Sequence, residues 1–411
     1  MKIAVITRSL IFSGGGERQA IQFSIELLKL GHEVTLYTTK HDSKGCFPDD
    51  VKKITLKTLA FEQKSLFPAS LKRLPLVGDF FHMYAENRLA KRVALMIDSD
   101  TEVLNPNDSW GTHVALYFKK RNPRAVSVLM LNDLYTARWS LFDDPLFGGR
   151  KSLLKWPLYF LKDFFERTLF FHNLDSVVVL NNRTVGLVSH YMKKESVIVR
   201  SGVDLNHFSY RQRSPLQKDK PIRLFCHGIF YIHRRYEDAI EALQILVREG
   251  YDATLTISGD YESRDIFRAY YDRLAKLVEV HALSSRVTFS GLVSESELLE
   301  LYNQADIFVS PAHLQTWGIA VFEAAASGLP TIISRTIGAA EVLEDRVNTM
   351  MVNPAKPNEI AEAVQSLVES PLLYDTIAKE ANRFVRNNVS WRRYAEHMLA
   401  IFKKTYERKN A

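Results

Sequence analysis

Residues 310–343 constrain the fold of this chain more than any other stretch: S-P-A-H-L-Q-T-W-G-I-A-V-F-E-A-A-A-S-G-L-P-T-I-I-S-R-T-I-G-A-A-E-V-L. An apolar strand signal, Ile307, Phe308 and Val309, ends at Ser310 and Pro311. After a polar loop, Gly318 opens a helix-compatible run over 319–326. Gly328 and Pro330 stop it, and a second strand begins at Thr331. Strand, loop, glycine-opened helix and strand make a βαβ unit. Its loop and helix start lie at the carboxyl edge of a parallel sheet, where such folds bind ligands. Backbone N–H groups near Gly318 and Ile319, reinforced by the helix dipole, suit a phosphate. Glu323, one turn further in, repels phosphate but accepts hydrogen bonds from a pair of sugar hydroxyls. Together these features point to a pocket for a nucleotide joined to a sugar.

The remaining chain reads as two α/β halves. In the first, 2–7 is a buried strand signal, followed by I-F-S-G-G-G-E-R-Q-A, a helix over 19–30 and a strand over 34–38. Gly14, Gly15 and Gly16 let a ligand approach the backbone closely, although a glycine-rich loop alone also serves as a tight turn. Further strands are expected at 102–104, 126–131, 177–180 and 197–199. The strand over 126–131 ends in Asn132 and Asp133, and Asp133 suits either a turn cap or a ligand contact. The polar run 211–220 has linker composition, which places the domains at 1–210 and 211–388 with a terminal helical segment at 389–411. The second half opens with a strand over 223–226, then Gly228, then Y-I-H-R-R-Y-E-D leading a helix over 237–248. Arg234 and Arg235 at a helix start oppose the helix dipole. A phosphate partner explains them, as do Glu237 and Asp238 beside them. Strands at 254–258 and 286–291 and a helix over 295–304 lead into the 310–343 motif.

With 411 residues, 46% hydrophobic and 25% charged, the chain is an ordinary globular protein of two or three domains. Its two cysteines, Cys46 and Cys226, fall in different halves, as in a reduced compartment. With no signal-peptide pattern and no long apolar run, a cytoplasmic location is expected. The net charge of +7 includes a stretch over 149–172 in which Lys151, Lys155, Lys162 and Arg167 alternate with Trp156, Tyr159, Phe160, Phe164 and Phe165. Such a segment either lies on an anionic membrane surface or packs its aromatics inward. No helix-turn-helix or RNA-binding signature supports a nucleic-acid partner. No metal constellation and no G-x-S-x-G elbow is present, so neither metal binding nor serine hydrolysis is expected.

The 310–343 segment resembles the donor motif of the group 1 retaining glycosyltransferases, in which a Glu, seven residues and a second Glu span loop and helix. Here the pattern is Q-x7-E, with Gln315 and Glu323 at the matching positions. G-G-G-E-R followed by G-H-E-V and the segment S-G-V-D-L-N-H-F also match family stretches. The likeness runs over almost the whole chain and is strongest over 259–343. It implies two facing doubly wound Rossmann-like domains of the GT-B type with an interdomain cleft. The final helix is expected to cross back to the first domain. The implied donor contacts are Gly14, Gly15, Gly16, Gly228, Arg234, Arg235, Gln315, Thr316, Trp317, Gly318, Ile319 and Glu323. The implied catalytic group is Arg234, Gln315, Asn132 and Asp133. Three positions depart from the pattern: Gln315 for Glu, Asn132 for His and Ile229 for Arg. The expected reaction is retaining, metal-independent transfer of a hexose from a GDP- or UDP-sugar to a hydroxyl of a glycan or lipid-linked sugar. No cofactor is expected, the nucleotide sugar being a substrate. A nucleotide-sugar 2-epimerase and a nucleotide-sugar-binding pseudoenzyme are the alternatives.

Overall fold

The computed structural model describes residues 1–11, 14–59, 77–132 and 156–411, in two compact units. The first unit carries a sheet of seven parallel strands. In chain order these are β1 (Lys2–Ile6), β2 (Glu33–Thr38), β3 (Thr55–Thr58), β4 (Val103–Pro106), β5 (Val126–Leu131), β6 (Ser176–Val179) and β7 (Val197–Ile198). Their spatial order is β3-β2-β1-β4-β5-β6-β7. The chain runs outward from β1 to β3 and then returns past β1 to β4, so β1 and β4 flank the topological switch point. Helices on both faces bury these strands, which is why β5 can be apolar at nearly every position: V-S-V-L-M-L.

The second unit, Gly202–Ser390, repeats the plan with six parallel strands. They are β8 (Ile222–His227), β9 (Ala253–Ser258), β10 (Val287–Gly291), β11 (Ile307–Ser310), β12 (Thr331–Ser334) and β13 (Met350–Val352), in the order β10-β9-β8-β11-β12-β13. Here the switch point lies between β8 and β11. The helices Tyr236–Arg248 and Pro357–Glu369 cover one face through Ile240, Leu243, Leu246, Val364 and Leu367, all buried.

The units divide at Gly202, ahead of the boundary expected at residue 211. Phe208 is buried edge-on against Tyr302, with ring centroids 5.5 Å apart. The polar run 211–220 is tied down as well. The Arg213 guanidinium donates to the carbonyls of Asn303 at 2.8 Å, Ala305 at 2.9 Å and Tyr302 at 2.9 Å. Those are carbonyls that the end of the helix Glu295–Gln304 leaves without intrahelical partners. The final helix, Trp391–Asn410, groups with the first unit. Tyr394 lies edge-on to Phe23 at 5.1 Å and accepts a hydrogen bond from Gln19 Nε2 at 2.7 Å, while Lys409 Nζ reaches the Ala125 carbonyl at 2.8 Å.

Candidate functional site

In the second unit, the residues singled out by sequence converge on the switch point. Gly228 follows β8 with φ +144°, and its carbonyl accepts from the Tyr236 hydroxyl at 2.9 Å. A Cβ at Gly228 would lie 3.2 Å from that hydroxyl and 3.3 Å from Arg234 Cζ. The strand end must stay bare so that the arginine can lie across it. The neighbouring turn is tighter still: a Cβ at Gly259, where φ is +149°, would lie 1.9 Å from the Gly228 carbonyl oxygen.

The adjacent arginines part company here. Arg235 adopts a left-handed φ of 55° and forks onto Asp238, with Nε–Oδ2 at 2.9 Å and Nη2–Oδ1 at 2.5 Å, while its Nη1 is 3.3 Å from Glu237. Of the two explanations for Arg235, the neighbouring carboxylates are the one its geometry displays. Arg234 has no acidic partner among the described residues, and its Nε is buried without a hydrogen-bond partner. A guanidinium in that condition is suited to an anion. Ile229 and Phe230 stand where the family pattern has Arg-Leu. Phe230 is fully buried among Tyr236, Tyr261 and Phe289, whereas Ile229 is exposed.

The loop after β11 meets this turn directly, because His313 N donates to the His233 carbonyl at 2.7 Å. Gly318 caps the helix Ile319–Ala326 at φ +91°, a conformation that strains any residue with a Cβ. The Gln315 side chain lies close by, 3.7 Å from where a Gly318 Cβ would sit, and its Oε1 is buried without a partner. Ile319 starts the helix and leaves its first amides unbonded within it. Glu323 is only 3% exposed, and the Tyr302 hydroxyl donates to its Oε2 at 3.0 Å. Tyr302, invisible to motif reading, therefore orients the carboxylate from the helix Glu295–Gln304.

Trp317 is 3% exposed and stacks on Phe322 at 4.5 Å, so it holds the loop down and presents no open ring face. The Thr316 carbonyl packs where a Cβ of Gly338 would be, only 2.0 Å away, and Gly338 N bonds the Gln315 carbonyl at 2.9 Å. Gly338 thereby buttresses the binding loop from the segment after β12.

The other named residues belong to the first unit. Gly14 precedes the helix Gly15–Lys29, and Glu17 folds back so that its Oε2 lies 2.6 Å from a would-be Cβ of Gly14. Gly16 has room for a Cβ, with Asn132 Nδ2 at 3.9 Å. Asn132 follows β5 and donates to the Asn107 carbonyl at 3.3 Å. The first unit thus brings Gly16 and Asn132 together at its own switch point. Asp133 lies outside the described residues, as do Lys151 and Lys155 and the side chains of Trp156, Tyr159 and Lys162. Beyond them, Phe160, Leu161, Phe164, Phe165 and Leu169 on 160–169 are exposed, while Phe171 is buried. Arg167 sits over the Phe164 ring at 5.8 Å. Among the described residues no helix is long and apolar enough to cross a membrane.

Two parallel doubly wound units carry glycine turns at both switch points and, at one of them, an arginine suited to an anion. Residues 208–389, within the second unit, match the family model for Glycosyl transferases group 1. Among curated relatives, a glycogen synthase of Mycobacterium tuberculosis is 28% identical over 208 residues, which is 51% of this chain and 48% of that protein. A GDP-mannose-dependent alpha-(1-6)-phosphatidylinositol dimannoside mannosyltransferase of the same species is 28% identical over 214 residues, covering 50% of this chain and 51% of that one. The chain spans about half the length of the curated relatives it matches. The fold is shared end to end with solved structures. A sucrose-phosphate synthase from Thermosynechococcus elongatus superposes with TM-score 0.76 at 18% identity, covering 99% of both chains. Anabaena HepE in complex with UDP superposes with TM-score 0.74 at 16% identity, covering 98% of this chain and 100% of that one. The architecture is GT-B.

Proposed function

We propose that the protein is a retaining glycosyltransferase that moves a hexose from a nucleoside-diphosphate sugar to a hydroxyl acceptor. The observation that carries this reading is Arg234, a guanidinium without an acidic partner among the described residues, set over a bare glycine turn. Its turn is hydrogen-bonded to the loop that leads into the helix start at Gly318. The donor diphosphate binds Arg234 and the backbone amides at Gly318 and Ile319, and the ribose diol donates to Glu323. The bond from the anomeric carbon to the leaving phosphate oxygen breaks with its electron pair on the diphosphate, where Arg234 offsets the developing charge. The acceptor oxygen bonds to the anomeric carbon from the same face, and its proton passes to the leaving phosphate oxygen. Gln315 and Asn132 are neutral, so neither serves as base or nucleophile; they orient hydroxyls. The diphosphate charge is met by Arg234 and the helix, so no metal is required for binding.

HepE was solved with UDP and the mannosyltransferase is named for GDP-mannose, so both bases are candidates. The acceptor is a glycan or lipid-linked sugar, and the protein is a cytoplasmic one that docks on an anionic membrane face. The exposed apolar side chains of 160–169, in a segment rich in basic residues, support that placement. The test is a thermal-shift screen against UDP, GDP and ADP sugars, followed by turnover with EDTA present. A nucleotide-sugar shift that Glu323→Ala weakens by about 1.5–3 kcal/mol is the expected result. Absence of any shift overturns the function, conversion of donor without acceptor signals an epimerase, and binding without turnover leaves a pseudoenzyme.

A further inference from the structure

The carboxyl ends of β1, β4 and β5 in the first unit hold a buried amide cluster that the donor chemistry does not use. Asn105 is 0% exposed and Asn107 is 4% exposed. Asn105 Nδ2 donates to the Val128 carbonyl at 2.8 Å. Asn107 Nδ2 donates to the Asn105 carbonyl at 3.1 Å and to Asn105 Oδ1 at 3.0 Å. The backbone N of Asn107 is bonded to the Ile6 carbonyl at 2.8 Å, and the Asn107 carbonyl takes the Asn132 Nδ2 at 3.3 Å. Both side-chain amides therefore have their orientation set by what their nitrogens bond. Both oxygens, Asn107 Oδ1 and Asn132 Oδ1, are buried and have no partner among the described residues. A buried acceptor left without a donor costs about 1–3 kcal/mol, so a ligand that donates to it recovers that energy. The cluster also sits at the β1/β4 switch point, where open α/β sheets bind ligands, beside the glycine turn at Gly16.

We propose that Asn107, together with Asn132, recognises a hydroxyl of the acceptor sugar. The inference rests on the glycosyltransferase reading for the word acceptor; the subsite itself rests on the amides. Two carbonyl-type oxygens reject an anion. An ammonium group would call for a carboxylate, and the neighbouring one, Asp108, already receives the backbone amides of Arg8 at 2.6 Å and Gly111 at 2.7 Å. A neutral hydroxyl group fits what is left. Asn107 acts as a specificity residue and takes no part in bond making.

The experiment uses the full chain, saturation-transfer NMR with methyl α-glucoside, methyl α-mannoside and methyl α-galactoside, and steady-state kinetics with the same compounds as acceptors. Wild type is expected to bind at least one glycoside. Asn107→Leu and Asn132→Leu, which keep side-chain volume without the acceptor oxygen, are expected to weaken it about tenfold. For Asn107→Leu that loss should fall on the acceptor KM, with kcat and the UDP or GDP thermal shift unchanged, whereas Asn132→Leu, at a residue that also orients the reacting hydroxyl, is expected to lower kcat as well. If Asn107→Leu does not fold, Asn132→Leu and Asn132→Ala decide alone. Unchanged glycoside binding in the folded variants, a loss that falls on nucleotide affinity, or a wild type that binds none of the three glycosides overturns the proposal. Lost glycoside binding in a protein without any transferase turnover sinks the catalytic reading but keeps the subsite. Normal turnover with an unchanged acceptor KM does the reverse.

Discussion

Arg234 and Arg235 adjoin in sequence, yet a left-handed turn at Arg235 sends their guanidinium groups to different work. Arg235 satisfies Asp238 and Glu237, both nearly buried carboxylates at the helix start. Removing it strands Asp238, since Glu237 keeps Arg273 at 2.8 Å, and stranding a buried charge costs about 3–5 kcal/mol. Arg235→Ala should therefore lower the melting temperature. Arg234→Ala should instead leave the melting temperature near wild type and weaken UDP or GDP binding by about 1.5–3 kcal/mol, the range for a charged hydrogen bond. Calorimetry beside a melting curve separates the two, and the opposite pairing would reverse the roles. Sequence could place both arginines at the helix start but could not choose between them. The choice depends on one φ angle and on which carboxylates come within reach.

At the scale of elements, the site is held by close approaches of backbone. The β8 and β9 ends meet so tightly that a Cβ at Gly259 would strike the Gly228 carbonyl, while one at Gly228 would press on Tyr236 and Arg234. Gly259→Ala is expected to destabilise the protein by several kcal/mol, through left-handed strain plus collision with a carbonyl, read as a lowered urea midpoint. A midpoint like that of wild type would show that the turn can relax. The terminal helix Trp391–Asn410 is also held by a half-buried ion cluster. Asp175 accepts from Lys119 Nζ at 2.6 Å and Ser127 N at 2.7 Å, and Lys409 Nζ lies 3.3 Å from its other oxygen. Burial opposes the charge, but these donors prevail and hold the Asp175 carboxyl below its ordinary value. A carboxyl lowered in this way contributes stability at neutral pH and loses it as pH falls below about 4. Asp175→Asn should thus melt well below wild type at pH 7, and the gap should narrow at pH 3. A gap of equal size at both pH values would show that the carboxylate's charge does not matter.

On the scale of the whole molecule, the chain repeats one topology twice and equips the two switch points differently. The second carries an arginine and a buried glutamate, the first neutral amides. This division suits the charged donor and the neutral acceptor of the proposed reaction. The exposed phenylalanines of 160–169 are a further surface feature among the described residues, and burying them at a lipid interface would add to electrostatic attraction of roughly 1 kcal/mol per nearby basic residue. The protein should float with anionic vesicles at low salt and detach at high salt, as screening shortens the range of that attraction. Changing Lys151, Lys155 and Lys162 together to Gln should release it. Failure of the wild-type chain to float under any salt condition would mean the patch meets something other than lipid.

The parallel strands, the glycine turns and the Q-x7-E loop were legible from local patterns, because hydrophobic runs and glycine punctuation are properties of neighbouring residues. β3, β13 and the helices Val77–Met96, Ser109–Lys119 and Pro371–Asn388 were not anticipated. β3 and β13 are short edge strands with little periodicity, and the apolar positions of Val77–Met96 keep no steady helical face. Tyr302 on Glu323, the pairing of Arg235 with Asp238 and the Asn105–Asn107–Asn132 cluster were also decided only by folding. Tyr302 and Glu323 lie on different helices, and Asn107 and Asn132 follow different strands. The Asn107–Asn132 contact exists because the crossover order places β4 beside both β1 and β5, and no local window of sequence carries that order. The sequence by itself determined that strand ends would carry polar and glycine residues. The tertiary structure decided which of those groups satisfy one another and which are left for a ligand, because hydrogen-bond satisfaction depends on distance in space.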